Sequence, residues 1–203
     1  MYDIHSHIIY GVDDGAVSIE ESVEGLYVNE REDNLEKLNL IKKEIDKAGI
    51  NISIYLGSEL LITPELPKLL KSGRVASLNN SRYLLLELPF LHIPTYTESV
   101  LFDLEIEGYK VILAHPERNE QIINNPKVLY RLIKQGVYVQ MNMSSFEGKY
   151  GKRVKKTALF MLQHRMVHFV GTNRHSPRQR SFKMRYIAER MSYYCKDSVL
   201  NLF

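Results

Sequence analysis

The sequence predicts an α/β fold with a largely parallel sheet covered by helices, and two observations predict it. Strand-like and helix-like stretches alternate along the chain, the order that parallel strands with helical crossovers require. In addition, His5, Glu59, Glu87, His115 and the Asn173/His175 pair each stand at or just past the C-terminal end of a predicted strand. In parallel α/β barrels that edge is where functional residues gather. One such coincidence would carry little weight, but a set of strand ends all bearing His, carboxylate or amide groups points to a shared site.

The elements follow in order. Tyr2 to Ile4 is a short strand candidate running into His5. From Glu30 to Ala48 the residues Leu35, Leu38, Ile41, Ile45 and Ala48 recur at helical spacing, and Gly49 stops the helix. Ile52, Ile54 and Leu56 alternate as in a strand and lead through Gly57 to Glu59. Tyr83 to Leu86 is a continuous apolar run, the pattern of a strand buried on both faces, ended by Glu87 and Pro89. Leu101 to Glu107 reads as the end of a helix stopped by Gly108, and Val111 to Ala114 as a strand leading into His115. Asn125-Pro126 opens a helix that Gly136 ends, with proline near its start and glycine past its end. Val137 to Met141 is a strand, Lys155 to Gln163 a helix, and Val167 to Val170 a strand that leads to Asn173 and His175. A last helix is predicted from about Phe182 to Tyr194.

The 203 residues suit one domain, 1–203, without repeats or low-complexity linkers. A net charge of +3, not concentrated along one helix, argues against nucleic-acid binding. No apolar run approaches the ~18 residues a membrane span needs, so no membrane insertion is expected. The start MYDIHSHIIYG lacks the pattern of a signal peptide. Cys195 is the single cysteine, which excludes an internal disulfide and, with the rest, predicts a cytoplasmic protein.

His and carboxylate side chains are ligands for Zn, Mn or Fe. His5 and His7, two apart on an extended segment, face one side and can reach one metal. Alone, such a pair is more often two ordinary histidines; its company with Glu59, Glu87 and His115 changes the weighing. A carboxylate has two oxygens, so Glu59 and Glu87 are able to bridge two cations, although each taken alone reads better as an exposed loop charge. His92, His164 and His168 lack such company and read as structural. Clustered cations clamp a phosphate and acidify a water for in-line attack. Arg118, three residues past His115, and Arg180, five past His175, offer bidentate contacts to phosphate oxygens, although Arg180 is equally well explained as part of a solvated basic loop. Asp14 is placed to protonate a leaving oxygen. No Gly-rich phosphate loop, Cys-x5-Arg segment or Gly-x-Ser-x-Gly elbow is present.

The opening MYDIHSHIIYGVDDGAVSIEESVE, with Gly57-Ser58-Glu59, SRYLLLELPF (81–90), VILAHPERN (111–119) and HFVGTNRHSPRQRSF (168–182), resembles the PHP (polymerase and histidinol phosphatase) superfamily. Within it, the chain is most similar to the bacterial manganese-dependent tyrosine phosphatases of capsular and extracellular polysaccharide synthesis, over nearly its whole length. The resemblance implies a distorted (β/α) barrel with up to three divalent cations, Mn(II) foremost, at its C-terminal mouth. It implies that His5, His7, Glu59, Glu87, His115 and His175 are ligands, that Arg118 and Arg180 grip phosphate, and that Asp14 assists catalysis. The implied substrate is phosphotyrosine on a protein, notably the tail of a polysaccharide-export tyrosine kinase.

Two departures bear on activity. The family has a helix, a strand and a Thr-Pro-His-His segment after the ESVE stretch, whereas here Glu24 passes directly to Gly25-Leu26-Tyr27, so one early helix–strand unit and a ligand His are expected to be missing. The family has Asp-x-His where this chain has Asn173-Arg174-His175; an amide oxygen still ligates but brings no negative charge. The end at Phe203 also comes early for the family. These departures keep a second function open beside the phosphatase: a catalytically weak or inactive relative that binds phosphotyrosine through Arg118 and Arg180. A phosphoesterase for a small substrate such as histidinol phosphate fits GVDDGA and HPER less well.

Overall fold

The computed structural model describes residues 3–7 and 31–173. Among these, five strands form one parallel sheet in the sequential order β1 to β5: β1 Glu59–Leu61, β2 Tyr83–Glu87, β3 Lys110–Ala114, β4 Tyr138–Asn142 and β5 Phe169–Gly171. Helix α1 (Arg31–Lys47) precedes the sheet. The crossovers carry α2 (Leu66–Lys71), α3 (Thr97–Ile106), α4 (Glu120–Asn124) with α5 (Lys127–Lys134), and α6 (Met143–Glu147) with α7 (Lys152–Gln163).

Parallel strands alternate their side chains between two faces, so the register assigns every residue a side. Leu60, Ile62, Leu84, Leu86, Val111, Leu113, Val139 and Met141 lie on one face in the main core, packed with Leu66 and Leu70 of α2, Leu101 and Leu104 of α3, Ile122 of α4, Leu129 and Leu132 of α5, Phe146 of α6 and Met161 and Leu162 of α7. Leu85, Ile112 and Ala114 form a smaller cluster on the opposite face, with Tyr83, Tyr138 and Phe169. Among the described residues the crossover helices pack on one face, and polar residues stand on the other: Glu59 lies beside Leu85, and Ala114 beside Gln140.

Glycines end the crossover helices where a left-handed residue is needed. Gly108 (φ 84°) follows α3 and Gly136 (φ 91°) follows α5, positions that cost an L side chain strain.

The predicted strands at 83–86, 111–114, 137–141 and 167–170 appear with ends shifted by one or two residues; the helices around 30–48 and 126–136 appear likewise, while those at 101–107 and 155–163 begin earlier, at Thr97 and Lys152. Two expectations are corrected. Residues 52–56 form no strand: Ile54 is buried, but Ile52 and Tyr55 are largely exposed, and the Leu56 carbonyl is taken by the Asn79 N–H rather than by a ladder. The strand begins instead at Glu59, which stands at the start of β1 rather than past a strand end. Asp3 and Ile4 are not strand either; the Asp3 carboxylate accepts from the Thr172 N–H and hydroxyl, fastening this segment to the residues after β5. The expected last helix and the Glu24–Gly25 junction lie outside the described residues.

Candidate metal centre

Five of the expected ligands converge at the C-terminal edge of the sheet. Glu87 is the last residue of β2, and His115 follows β3 in a left-handed conformation (φ 31°). That strained turn is followed at once by Pro116 and redirects the chain from the strand into the 3-10 turn Pro116–Arg118. His5 is held over the end of β5 by its carbonyl, which accepts from the Asn173 N–H (2.8 Å), and by its N–H, which donates to the Asp3 carboxylate (3.2 Å) that Thr172 also binds.

Glu59 is central to the arrangement. Its Oε2 lies 3.1 Å from His5 Nε2 and 3.5 Å from His7 Nε2, while its Oε1 lies 2.8 Å from His115 Nε2. His115 Nε2 is in turn 3.7 Å from Glu87 Oε1. His5 Nε2 and His7 Nε2 point at each other across 3.0 Å. The donors thus divide into two groups, His5–His7–Glu59 and Glu59–Glu87–His115, each with its ligand atoms within 4.8 Å of one another and both sharing Glu59.

The chemistry of these groups suits cations. Glu59 Oε1 is buried and, despite its closeness to His115, is not in line for a hydrogen bond, so it has no hydrogen-bond partner among the described residues. Two imidazole nitrogens facing one another can share at most one proton, whereas a cation satisfies both lone pairs. A carboxylate with one oxygen in each group would offer a ligand atom to a cation in either.

Electrostatics follow from the same packing. Burial works to raise the Glu59 pKa, but contacts from His115, His5 and His7 outweigh it and hold the carboxyl well below its usual range. Burial raises the Glu87 pKa, and the neighbouring Glu59 charge raises it further. Burial opposes charge on His115, yet the Glu59 contact prevails and its pKa is raised. Glu59 and His115 thus favour each other's charged form, while Glu87, beside the Glu59 carboxylate, is pushed toward its neutral form.

Arg118 stands beside this centre in an unusual stack. Its guanidinium lies 4.6 Å from the Phe90 ring centroid and 4.5 Å from that of Tyr150. Phe90 stacks in turn on His115, which stacks on His5 (centroids 6.4 and 5.5 Å). A planar cation in contact with two aromatic rings is restrained in orientation.

Asn173, expected as a ligand, is buried with φ 45° and its backbone bonded to His5. Asp14, His175 and Arg180 lie outside the described residues. His168, read as structural, accepts the Val139 N–H at Nδ1 (3.0 Å), and burial lowers its pKa. His164 bonds the Phe160 carbonyl and stacks on the Phe160 ring.

Three residues around the centre, Glu117, Gln140 and Asn142, are not among the expected site residues. Glu117, fully buried, accepts from the Asn142 N–H (2.9 Å) and the Ser145 hydroxyl (2.6 Å), and burial raises its pKa. Gln140 accepts from His5 at Nδ1 (2.8 Å), and its own amide donates to Asn142 (3.0 Å). Gln140 and Asn142 alternate with apolar Val139 and Met141 along β4, a polar/apolar alternation in a buried strand that the sequence does offer as a clue.

Residues 25–203 match the family described as capsular polysaccharide synthesis, CpsB/CapC. The tyrosine-protein phosphatase YwqE of Bacillus subtilis is 33% identical over 90% of this chain and 80% of its own length. The putative tyrosine-protein phosphatase CapC of Staphylococcus aureus is 36% identical over 92% of this chain and 82% of its own. Among solved structures, one described as YwqE from Bacillus subtilis and CpsB from Streptococcus pneumoniae, unique metal-dependent tyrosine phosphatases, superposes with a TM-score of 0.82 at 28% identity, covering 100% of this chain and 96% of the other.

Proposed function

The chain belongs to the capsular polysaccharide synthesis CpsB/CapC family, and on that premise we propose that it is a divalent-metal-dependent phosphatase of protein phosphotyrosine. The observation that carries the reading is Glu59, one oxygen in each of two ligand groups, with Arg118 stacked beside them. His5, His7, Glu59, Glu87 and His115 would hold two cations, Mn(II) being the ion the family resemblance implies, and Asn173 and His175 would complete the set. Cations held there would offset phosphate charge and ease deprotonation of an attacking water. Arg118 offers its N–H edge to the phosphate oxygens, joined by Arg180, and Asp14 protonates the leaving phenolic oxygen. The proposed substrate is the tyrosine-rich tail of a polysaccharide-export kinase in the cytoplasm. Among the described residues no helix is long and apolar enough to cross a membrane.

The sequential strand order with helices covering one face supports closure into the distorted (β/α) barrel. The direct passage from Glu24 to Gly25 is the ground for the loss of one early helix–strand unit at that junction. Impaired turnover follows from that loss and from the neutral Asn173, and this observation favours the second reading, a weak relative that retains phosphotyrosine.

The test is hydrolysis of a phosphotyrosine peptide by the purified chain with Mn(II), with and without a chelator. Metal-dependent release of phosphate, lost in the His5→Ala/His7→Ala variant, is expected. Hydrolysis at the parent rate by that double variant would refute the assigned centre, and peptide binding without hydrolysis would select the second reading.

A further inference from the structure

We infer that Gln140 is the positioning residue of His5: it keeps the proton on Nδ1 and so presents Nε2 as the donor atom to the metal. The inference rests on the metal-centre reading above.

Gln140 is fully buried, and its side chain is committed at both ends. Its amide nitrogen donates to Asn142 Oδ1 (3.0 Å), so its oxygen is the atom that meets His5 Nδ1 at 2.8 Å. With Asn142 oriented as it stands, reversing the Gln140 amide would set an NH2 group against the imidazole and an oxygen against the Asn142 oxygen. Only a His5 that carries hydrogen on Nδ1 satisfies this partner, and its other nitrogen then faces His7 and Glu59 (3.0 and 3.1 Å). An outer hydrogen bond that fixes the tautomer of a ligating imidazole is a general requirement of metal sites.

A second observation supports a built arrangement. A Cβ placed on Gly171 would stand 2.8 Å from Gln140 Nε2 and 2.8 Å from His5 Cβ. Gly171 has an extended backbone, so conformational freedom is not its use; it leaves the room in which the two side chains meet. Gln140 reaches the same place because β4 pairs with β5, putting it beside Phe169, two residues before Gly171.

The chosen partner also has a chemical consequence. A carboxylate in this position would make His5 a more basic donor, whereas an amide orients it without adding charge. Asn142 Nδ2 has no hydrogen-bond partner among the described residues, so turning the Asn142 amide would let it donate to a carboxylate at position 140.

The experiment uses the full chain with histidine labelled in 15N, alongside Gln140→Leu and Gln140→Glu. Two readouts are taken: the His5 tautomer by NMR, in the metal-free chain at alkaline pH and in the Zn(II)-loaded chain, and Mn(II) affinity by competition with a chelator. The parent and Q140E are expected to hold hydrogen on Nδ1. Q140L is expected to lose that preference and to bind Mn(II) about 10- to 100-fold more weakly, while Q140E binds at least as tightly as the parent. A folded Q140L with unchanged tautomer and affinity would overturn the inference, as would a parent His5 carrying hydrogen on Nε2. If the parent binds no metal, the metal-centre reading fails, and the metal-free tautomer still decides the role of Gln140.

Discussion

At the scale of single residues, the shared carboxylate makes the sharpest distinction. Glu59 places one oxygen with His5 and His7 and the other with His115 and Glu87, whereas Glu87 contacts the second group alone. Glu59→Ala should therefore abolish binding of both cations, and Glu87→Ala should leave one. Counting bound Mn(II) per chain by equilibrium dialysis checks this; equal stoichiometries for the two variants would contradict a bridging Glu59. His115 adds a pH signature. Its pKa is raised above the ordinary imidazole value of about 6.5 because the Glu59 contact outweighs burial. In the metal-free chain a raised histidine contributes stability that is complete below the unfolded pKa and is lost as pH rises through the folded one. A metal must displace that proton, so Mn(II) affinity should increase as pH rises through the same window, with proton release on binding. Calorimetric titration at near-neutral pH in two buffers of different ionisation enthalpy measures the release; none would show that His115 is already neutral or does not ligate.

At the scale of elements, the segment between β2 and α3 holds Phe90 and hence one side of the Arg118 stack. Asn119 ties this segment to the sheet's functional edge. Its buried side chain caps α4 by accepting the Ile122 N–H (3.0 Å), and its amide donates to the Pro89 and His92 carbonyls (2.6 and 3.2 Å). Asn119→Ala removes the cap and leaves two carbonyls without this donor, a loss of about 2–3 kcal/mol. The same substitution should raise KM for a phosphotyrosine peptide more than it lowers kcat, because Arg118 loses its fixed neighbour rather than the metal ligands. Urea unfolding and steady-state kinetics test the two halves separately. A change in kcat alone would detach the Phe90 segment from phosphate binding.

At the scale of the molecule, centre and main core lie on opposite faces of one sheet. The core residues that join strands to helices, from Leu60 through Met161, do not include any of the five ligands. Removing ligands should then cost the fold little, while cation binding should stabilise it by mass action, about 2.7 kcal/mol at a hundredfold excess over Kd. Mn(II) is thus expected to raise Tm of the parent, and His5→Ala/His7→Ala should keep a cooperative transition that responds much less to Mn(II). An unfolded double variant would mean that the His5 segment, through its bonds to Thr172 and Asn173, is part of the fold's framework.

The sequence by itself determined the alternating α/β order, because apolar runs and glycine stops are local, and it marked the candidate site residues, because His, Glu and Arg stand close to those runs. His115 and Glu87 were legible in this way: each is tied to a strand end by chain connectivity alone. Glu59 was legible as a candidate ligand but not as the first residue of a strand, since Ile52, Ile54 and Leu56 alternate as a strand would and yet join no ladder among the described residues. Only the tertiary structure decided which oxygen of Glu59 meets which histidine, that Arg118 lies between Phe90 and Tyr150, and that Gln140 reaches His5 across a gap of 135 residues. Periodicity records which face a side chain takes, but the register between strands sets its neighbours, and that register depends on how the whole sheet packs.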